Sequence, residues 1–248
     1  PSVGGGLSVS GVTVQTQAGI LQQQNYIAQF ANYVDIGRNG GAINLAATNI
    51  TLQPTLVADD VVASTGFFNV GPDDDPQVIN WRVETSFEDG NPTVFNTVSF
   101  ESDKALGSLR LVNYFDPTIF GAGGDILFTR GTPGEDDFRA FVIDDAQRIG
   151  FGHGGIVNNN PGGNTNFVGW ASDVGADLSA AIFGAGAAYS RNGNIDTSSL
   201  PQEIDPDLGT VYGPEDVATA FAWDVQSSAL TASVTTLLQL LPRNPSSL

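Results

Sequence analysis

Apolar and polar residues alternate with a period of two along much of this chain. The clearest case spans 79–87, where Ile79, Trp81, Val83, Thr85 and Phe87 alternate with Asn80, Arg82, Glu84 and Ser86. Successive side chains of a strand point to opposite faces, so this spacing predicts a strand with one mainly apolar face. Glu88-Asp89-Gly90-Asn91-Pro92 supplies a turn, and 93–100 returns as a second strand. Further strands are predicted at 109–114, 126–129, 138–143, 147–151 and 167–171. Near the end, Thr219, Phe221, Trp223 and Val225 alternate with Ala218, Ala220 and Ala222, and 231–241 closes the sheet. Short strands at this spacing, joined by turns, predict an all-β fold: an antiparallel β-sandwich of jelly-roll or supersandwich type.

Helical spacing is weaker. Residues 18–33 carry Ile20, Leu21, Ile27 and Phe30 with glutamines between them, which fits one amphipathic helix or an extended arm. Residues 177–189 are alanine-rich, but Gly184 and Gly186 weaken a helix there. At the N-terminus, Gly4-Gly5-Gly6 hinges a β-prone stretch at 7–14. That stretch reads as an ordinary first strand, or as an arm that adds a strand to a neighbouring subunit. The expected division is therefore 1–45, an arm or first strand with a possible helix, and 46–248, the sandwich domain.

Composition narrows the function classes. The 248 residues suffice for a sizeable core, and 41% hydrophobic content argues against wholesale disorder. The net charge of −18, with Lys104 the sole lysine, gives a surface that repels nucleic-acid phosphates and anionic lipids. It favours multivalent cations. The absence of cysteine excludes disulfides, thiolate nucleophiles and Cys-type zinc sites. A sequence without methionine that starts at Pro1 reads most simply as one processed by signal-peptide removal; a trimmed cytoplasmic protein is the other reading. No apolar run approaches the roughly 20 residues that span a bilayer.

The acidic turns are the most informative chemistry. Asp73, Asp74 and Asp75 sit in a proline-bounded loop, Glu135-Asp136-Asp137 follows a Gly-Thr-Pro-Gly turn, and Asp205-Pro206-Asp207 and Glu215-Asp216 come later. Hard Ca²⁺ takes six to eight oxygen ligands, which clustered carboxylates and loop carbonyls provide; a solvated acidic surface without metal is the plain alternative. Asn192, Asn194, Asp196 and Glu203 fall at positions 1, 3, 5 and 12 of an EF-hand-like loop, although Thr197 replaces the usual glycine. The candidate calcium ligands are therefore Asn192, Asn194, Asp196, Glu203, Asp205, Asp207, Asp73, Asp74, Asp75, Asp136 and Asp137.

Gly121-Ala122-Gly123-Gly124-Asp125-Ile126-Leu127-Phe128 resembles a fragment of the glycine- and aspartate-rich nonapeptide repeats of secreted RTX proteins, which bind calcium when stacked. Here it is one imperfect copy of about eight residues, and a glycine turn before a strand is the simpler account. The run 81–155 is similar in strand texture to uncharacterised β-sandwich domains of large bacterial extracellular proteins. That resemblance implies a secreted setting and supplies no catalytic residue.

Other motifs carry less. Gly150-Phe151-Gly152-His153-Gly154-Gly155 matches GxGxxG, but a loop rather than a helix is expected after it. His153, the sole histidine, reads as a loop residue with no GxSxG elbow beside it. Trp81 and Trp223 read as core, whereas Trp170 beside an asparagine-rich loop is the candidate exposed platform for a glycan. Glu84 and Glu101 are the candidate pair for a glycosidase. Together these features point to a non-enzymatic, secreted or cell-surface structural or adhesive subunit. It would be stabilised by Ca²⁺ and self-assemble by strand pairing into an oligomer, filament, matrix or surface layer. A carbohydrate-binding module or a glycosidase-like sandwich is the alternative, with surface glycans as partner.

Overall fold

The computed structural model describes residues 15–16, 19–20, 27–36, 42–72, 74–87, 89–119, 123–146, 148–156, 163–183 and 200–241. In chain order the strands are β1 (Gln15–Thr16), β2 (Gly19–Ile20), β3 (Ile27–Asp35), β4 (Ile43–Asn44), β5 (Asn49–Ala58) and β6 (Val61–Val70). Next come β7 (Gln77–Phe87), β8 (Thr93–Glu101), β9 (Arg110–Pro117), β10 (Asp125–Arg130), β11 (Arg139–Asp144), β12 (Gly150–Ile156) and β13 (Thr165–Val174). The helix α1 (Gly175–Phe183) precedes β14 (Gln202–Asp205), β15 (Gly209–Glu215), β16 (Val217–Val225) and β17 (Thr231–Leu241).

Two open antiparallel sheets face each other, as the alternating sequence predicts. The larger runs β14-β15-β10-β11-β12-β17-β8-β7-β6-β5 and the smaller β13-β16-β9-β3-β4. In β7, Ile79, Trp81, Val83 and Thr85 are buried while their neighbours are at least partly open. The register carries that face across the sheet: Trp81 stands opposite Phe100 and Phe100 opposite Ala232, while Val83 pairs with Val98 and Val98 with Val234. The smaller sheet answers with Val217, Phe221, Trp223 and Val225 of β16 and Leu111 and Phe115 of β9. Its other face is built of small residues. Ala171, Ala218, Ala220 and Ala222 leave room for Leu178 and Ile182, one turn apart on α1. A third cluster, in which Phe128 and Phe141 stack at 4.9 Å, lies beneath Leu208 and Val211 on the outer face of the larger sheet.

The structure departs from the sequence reading in three places. Residues 27–35 form a strand and not a helix. Phe30 and Val34 enter the core between the sheets while Ala31 and Tyr33 pack on the α1 side, so apolar residues on both faces imitate helical spacing. Because β3 and β4 stand in the smaller sheet, the sandwich begins well before residue 46. β17 does not close the sheet at an edge but stands inside it, with β12 and β8 on either side.

The GxGxxG stretch is β12, a central strand with neighbours on both sides. Its glycines make room for rings and neighbouring backbone. A Cβ on Gly152 would lie 2.7 Å from the Phe141 ring, on Gly150 2.1 Å from the Val142 carbonyl oxygen, and on Gly155 2.4 Å from Trp223 Cζ2. Gly155→Ala is accordingly expected to destabilise the fold by about 1–3 kcal/mol through overpacking, read from the urea midpoint. An unchanged midpoint would mean that Trp223 moves without strain.

Candidate functional site

A hydrogen-bonded chain of buried polar side chains crosses the sandwich interior. Six residues take part: Thr219 on β16, His153 on β12, Asn113 on β9, Asn32 on β3, Asn96 on β8 and Thr85 on β7. Asn113 Nδ2 donates to Asn32 Oδ1 at 2.8 Å, Asn32 Nδ2 to Asn96 Oδ1 at 2.9 Å, and Asn96 Nδ2 to Thr85 Oγ1 at 3.1 Å. At the other end His153 Nε2 lies 2.7 Å from Asn113 Oδ1, and His153 Nδ1 lies 2.7 Å from Thr219 Oγ1. An amide oxygen only accepts, so this assignment makes Nε2 the protonated nitrogen, and Nδ1 accepts from Thr219. Every bond then points the same way, an arrangement in which each bond polarises the next.

His153 is 0% exposed, with the rings of Phe30, Phe115 and Phe221 edge-on around it. Burial, and secondarily the Arg139 charge, push its pKa down to about 3, so it stays neutral across the physiological range. The loop placement expected for this residue is thus replaced by a core position. Period-two spacing was the available signal: Phe151 and His153 point inward and the glycines between them outward.

A second constellation lies where β10, β11 and the entry to β16 meet. Asp125 opens β10 and stands directly opposite Asp144, the last residue of β11. Directly opposite residues of an antiparallel pair share a face. That face also carries Leu127 and Val142 into the core between the sheets. Asp125 is 0% exposed, and neither of its carboxylate oxygens has a hydrogen-bond partner. Burial, then the charges of Asp144, Asp216 and Asp116, raise its pKa to about 8. Asp116 is raised to about 6 by burial and the Asp216 charge, against a hydrogen bond from the Tyr114 hydroxyl at 3.3 Å. The sequence reading passed over Asp125, which the RTX-like fragment quotes only as part of a turn.

The expected calcium ligands that the structure describes fall on three separate turns or strands. Asn192, Asn194, Asp196 and Asp73 lie outside the described residues. Asp74 is exposed, and the exposed Asp75 pairs with Lys104 Nζ at 3.2 Å. Asp136 is half-buried, its carbonyl accepting from Arg139, and the exposed Asp137 accepts from the Thr132 amide. Glu203 and Asp207 are exposed, whereas Asp205 is buried. Asp205 accepts from Arg148 Nη2 at 2.7 Å and from the amides of Asp207 and Leu208. Burial pushes its carboxyl up, but those donors outweigh it and hold the pKa below the ordinary value. Among the described residues no group of three or more acidic or histidine side chains is arranged to hold a metal by itself.

Trp170 is not an exposed platform. It is 3% exposed, packed 5.0 Å from the Phe138 ring, because β13 pairs with β16 and turns the indole into the core. An open groove of about 540 Å³ lies elsewhere, on the β5–β8 and β17 side, with Thr65, Asn80, Arg82, Ser99, Glu101 and Ser233 in its lining. Glu101 stands opposite Asn80 and Glu84 opposite Thr97. That four-residue offset sets the two backbones about 13 Å apart along the strands. Glu84 is also engaged by Arg82 at 2.6 Å.

No helix among the described residues is long and apolar enough to cross a membrane. Neither the family models nor the curated proteins compared with this chain give a match.

Proposed function

We propose that the protein is a non-enzymatic structural or adhesive subunit, set outside the cell, stabilised by Ca²⁺ and self-associating along a sheet edge. The observation that carries this reading is β5. It ends the larger sheet, pairs only with β6 among the described residues and holds no charged residue. Pro54 and three register shifts interrupt the strand. Such features blunt an edge, so the uncharged stretch beyond Pro54 carries the contact. There Leu56 is 66% and Val57 45% exposed. The opposite edge, β14, has four residues and carries Glu203 and Asp205. The arm expected at 7–14 lies outside the described residues.

Self-association must overcome the repulsion of a −18 chain, so it strengthens with salt and divalent cations. Light scattering behind size exclusion is expected to show mass rising with protein concentration. Leu56→Lys with Val57→Lys is expected to weaken association at least about tenfold, a lysine edge being a poor template for pairing. A wild type that remains monomeric at every concentration and salt level sinks the proposal. The open groove supports a second reading, glycan binding, which would rest on Arg82, Asn80 and Glu101 and no longer on Trp170.

A further inference from the structure

We propose that Asp125 and Asp144 form the inner half of a divalent-cation site, suited to Ca²⁺, at the end of the sandwich where β10, β11 and the entry to β16 meet. This rests on the calcium-stabilised part of the reading above and moves it from the exposed loops to a buried pair. One observation carries it beyond the acidic residues' mere proximity, and the register adds the partner. Asp125 is fully buried with both carboxylate oxygens unpartnered. Its cross-strand neighbour on the same face is a second buried carboxylate.

A buried ionised carboxyl is tolerated when a positive charge and hydrogen-bond donors compensate it. Here the charged groups acting on Asp125 are Asp144, Asp216 and Asp116, and no arginine or lysine is among them. Arg148, the base nearest in sequence to Asp144, is engaged with Asp145 and Asp205. Unfilled lone pairs whose charged neighbours are all acidic call for a cation.

The chemistry of the donors selects which one. All are hard carboxylate oxygens, and His153 is committed to the interior chain, so no nitrogen or sulfur ligand favours zinc. Two carboxylates supply up to four oxygens, and water completes the shell. Ca²⁺ accepts such irregular, flexible shells, whereas Mg²⁺ demands a near-ideal octahedron. Asp216 and Asp116 are half-buried, and their charges act on Asp125, which strengthens the pull on a cation. Binding in the range of extracellular modules, about 10⁻⁴–10⁻³ M, is expected for so few protein ligands.

The test melts the full chain in mildly alkaline buffer, once with chelator and once with millimolar Ca²⁺, and counts bound ions by titration calorimetry. Wild type is expected to melt several degrees higher with Ca²⁺, since a ligand of the folded state stabilises it. Asp125→Asn and Asp144→Asn are each expected to abolish that rise and one bound ion. In chelator, Asp125→Asn is expected to melt above wild type, because a neutral amide replaces the buried charge. A combined Asp74→Asn, Asp75→Asn, Asp136→Asn, Asp137→Asn variant is expected to keep the rise. If the rise survives Asp125→Asn and Asp144→Asn but disappears in the loop variant, this site is overturned while calcium stabilisation stands. If wild type neither binds nor responds to Ca²⁺, both are overturned.

Discussion

His153→Ala is expected to lower the unfolding free energy by about 3–5 kcal/mol, much of what a single domain possesses. Two effects add. The missing ring leaves a cavity walled by Phe30, Phe115 and Phe221, where packing is too dense to collapse without strain. The substitution also strands Thr219 Oγ1 and Asn113 Oδ1, both on fully buried residues, without their partner. Each orphaned group carries a desolvation penalty of about 1–3 kcal/mol. Urea unfolding with an unchanged m-value measures the loss. A loss below about 1 kcal/mol would show that water enters and rebuilds the chain of bonds. Coupling is the sharper readout. His153 and Asn96 do not touch, yet Asn113 and Asn32 join them in one line of donors. A double-mutant cycle between His153→Ala and Asn96→Ala should therefore show coupling above about 0.5 kcal/mol, which independent sites lack.

That chain also shows where sequence reading loses its grip. Strands with one buried face, such as β7, β8 and β17, were legible because pleating converts burial into alternation. β3 was not, since both its faces are covered and the alternation vanishes. β12 was hidden for a different reason. A strand so rich in glycine reads as a loop unless the rings that need the space are known: Phe141 of β11 against Gly152 on the outer face and Trp223 of β16 against Gly155 on the inner one. Asn32, Asn96 and Asn113 look like ordinary strand polar residues. Only the packing of two sheets links them, one bond after another, to a histidine as many as 121 positions away in sequence. The acidic loops are the reverse case. Their charge was evident, but charge in a turn mostly meets solvent or a nearby lysine or arginine, as at Asp75 and Asp205. What distinguishes Asp125 is burial without a partner, a property of the fold alone.

In chelator, stability is expected to fall as the pH rises from about 6.5 to about 8, by about 2 kcal/mol, and to level off beyond. Asp125 sets this slope. Its carboxyl has an ordinary value near 3.8 and rises to about 8 in the folded chain. Between those values the folded state holds a proton that the unfolded state has released. Stability is therefore greatest at the acidic side of that window and declines as the pH climbs through it, by about 1.36 kcal/mol per unit for one proton. Asp116, raised to about 6, acts in the same direction but is finished below the measured range. His153 acts oppositely. Unfolded, it takes up a proton below about 6.5; folded, it resists until about 3, so its contribution is lost as the pH falls between those values. Asp205, held below its ordinary value, is likewise lost only on acidification. Above 6.5 the histidine adds only a few tenths of a kcal/mol, in the opposite sense, as its unfolded form finishes deprotonating, which leaves Asp125 as the source of the decline. The most stable condition then lies in mild acid, nearer pH 4 to 5 than neutrality, because two carboxyls oppose one histidine across the interval between. Urea midpoints taken at successive pH values give the profile directly. Asp125→Asn should flatten its upper limb while keeping the acid limb. A wild-type profile that is level or rising from 6.5 to 8 would mean that Asp125 is ionised at little cost, and that the fold neutralises it by other means.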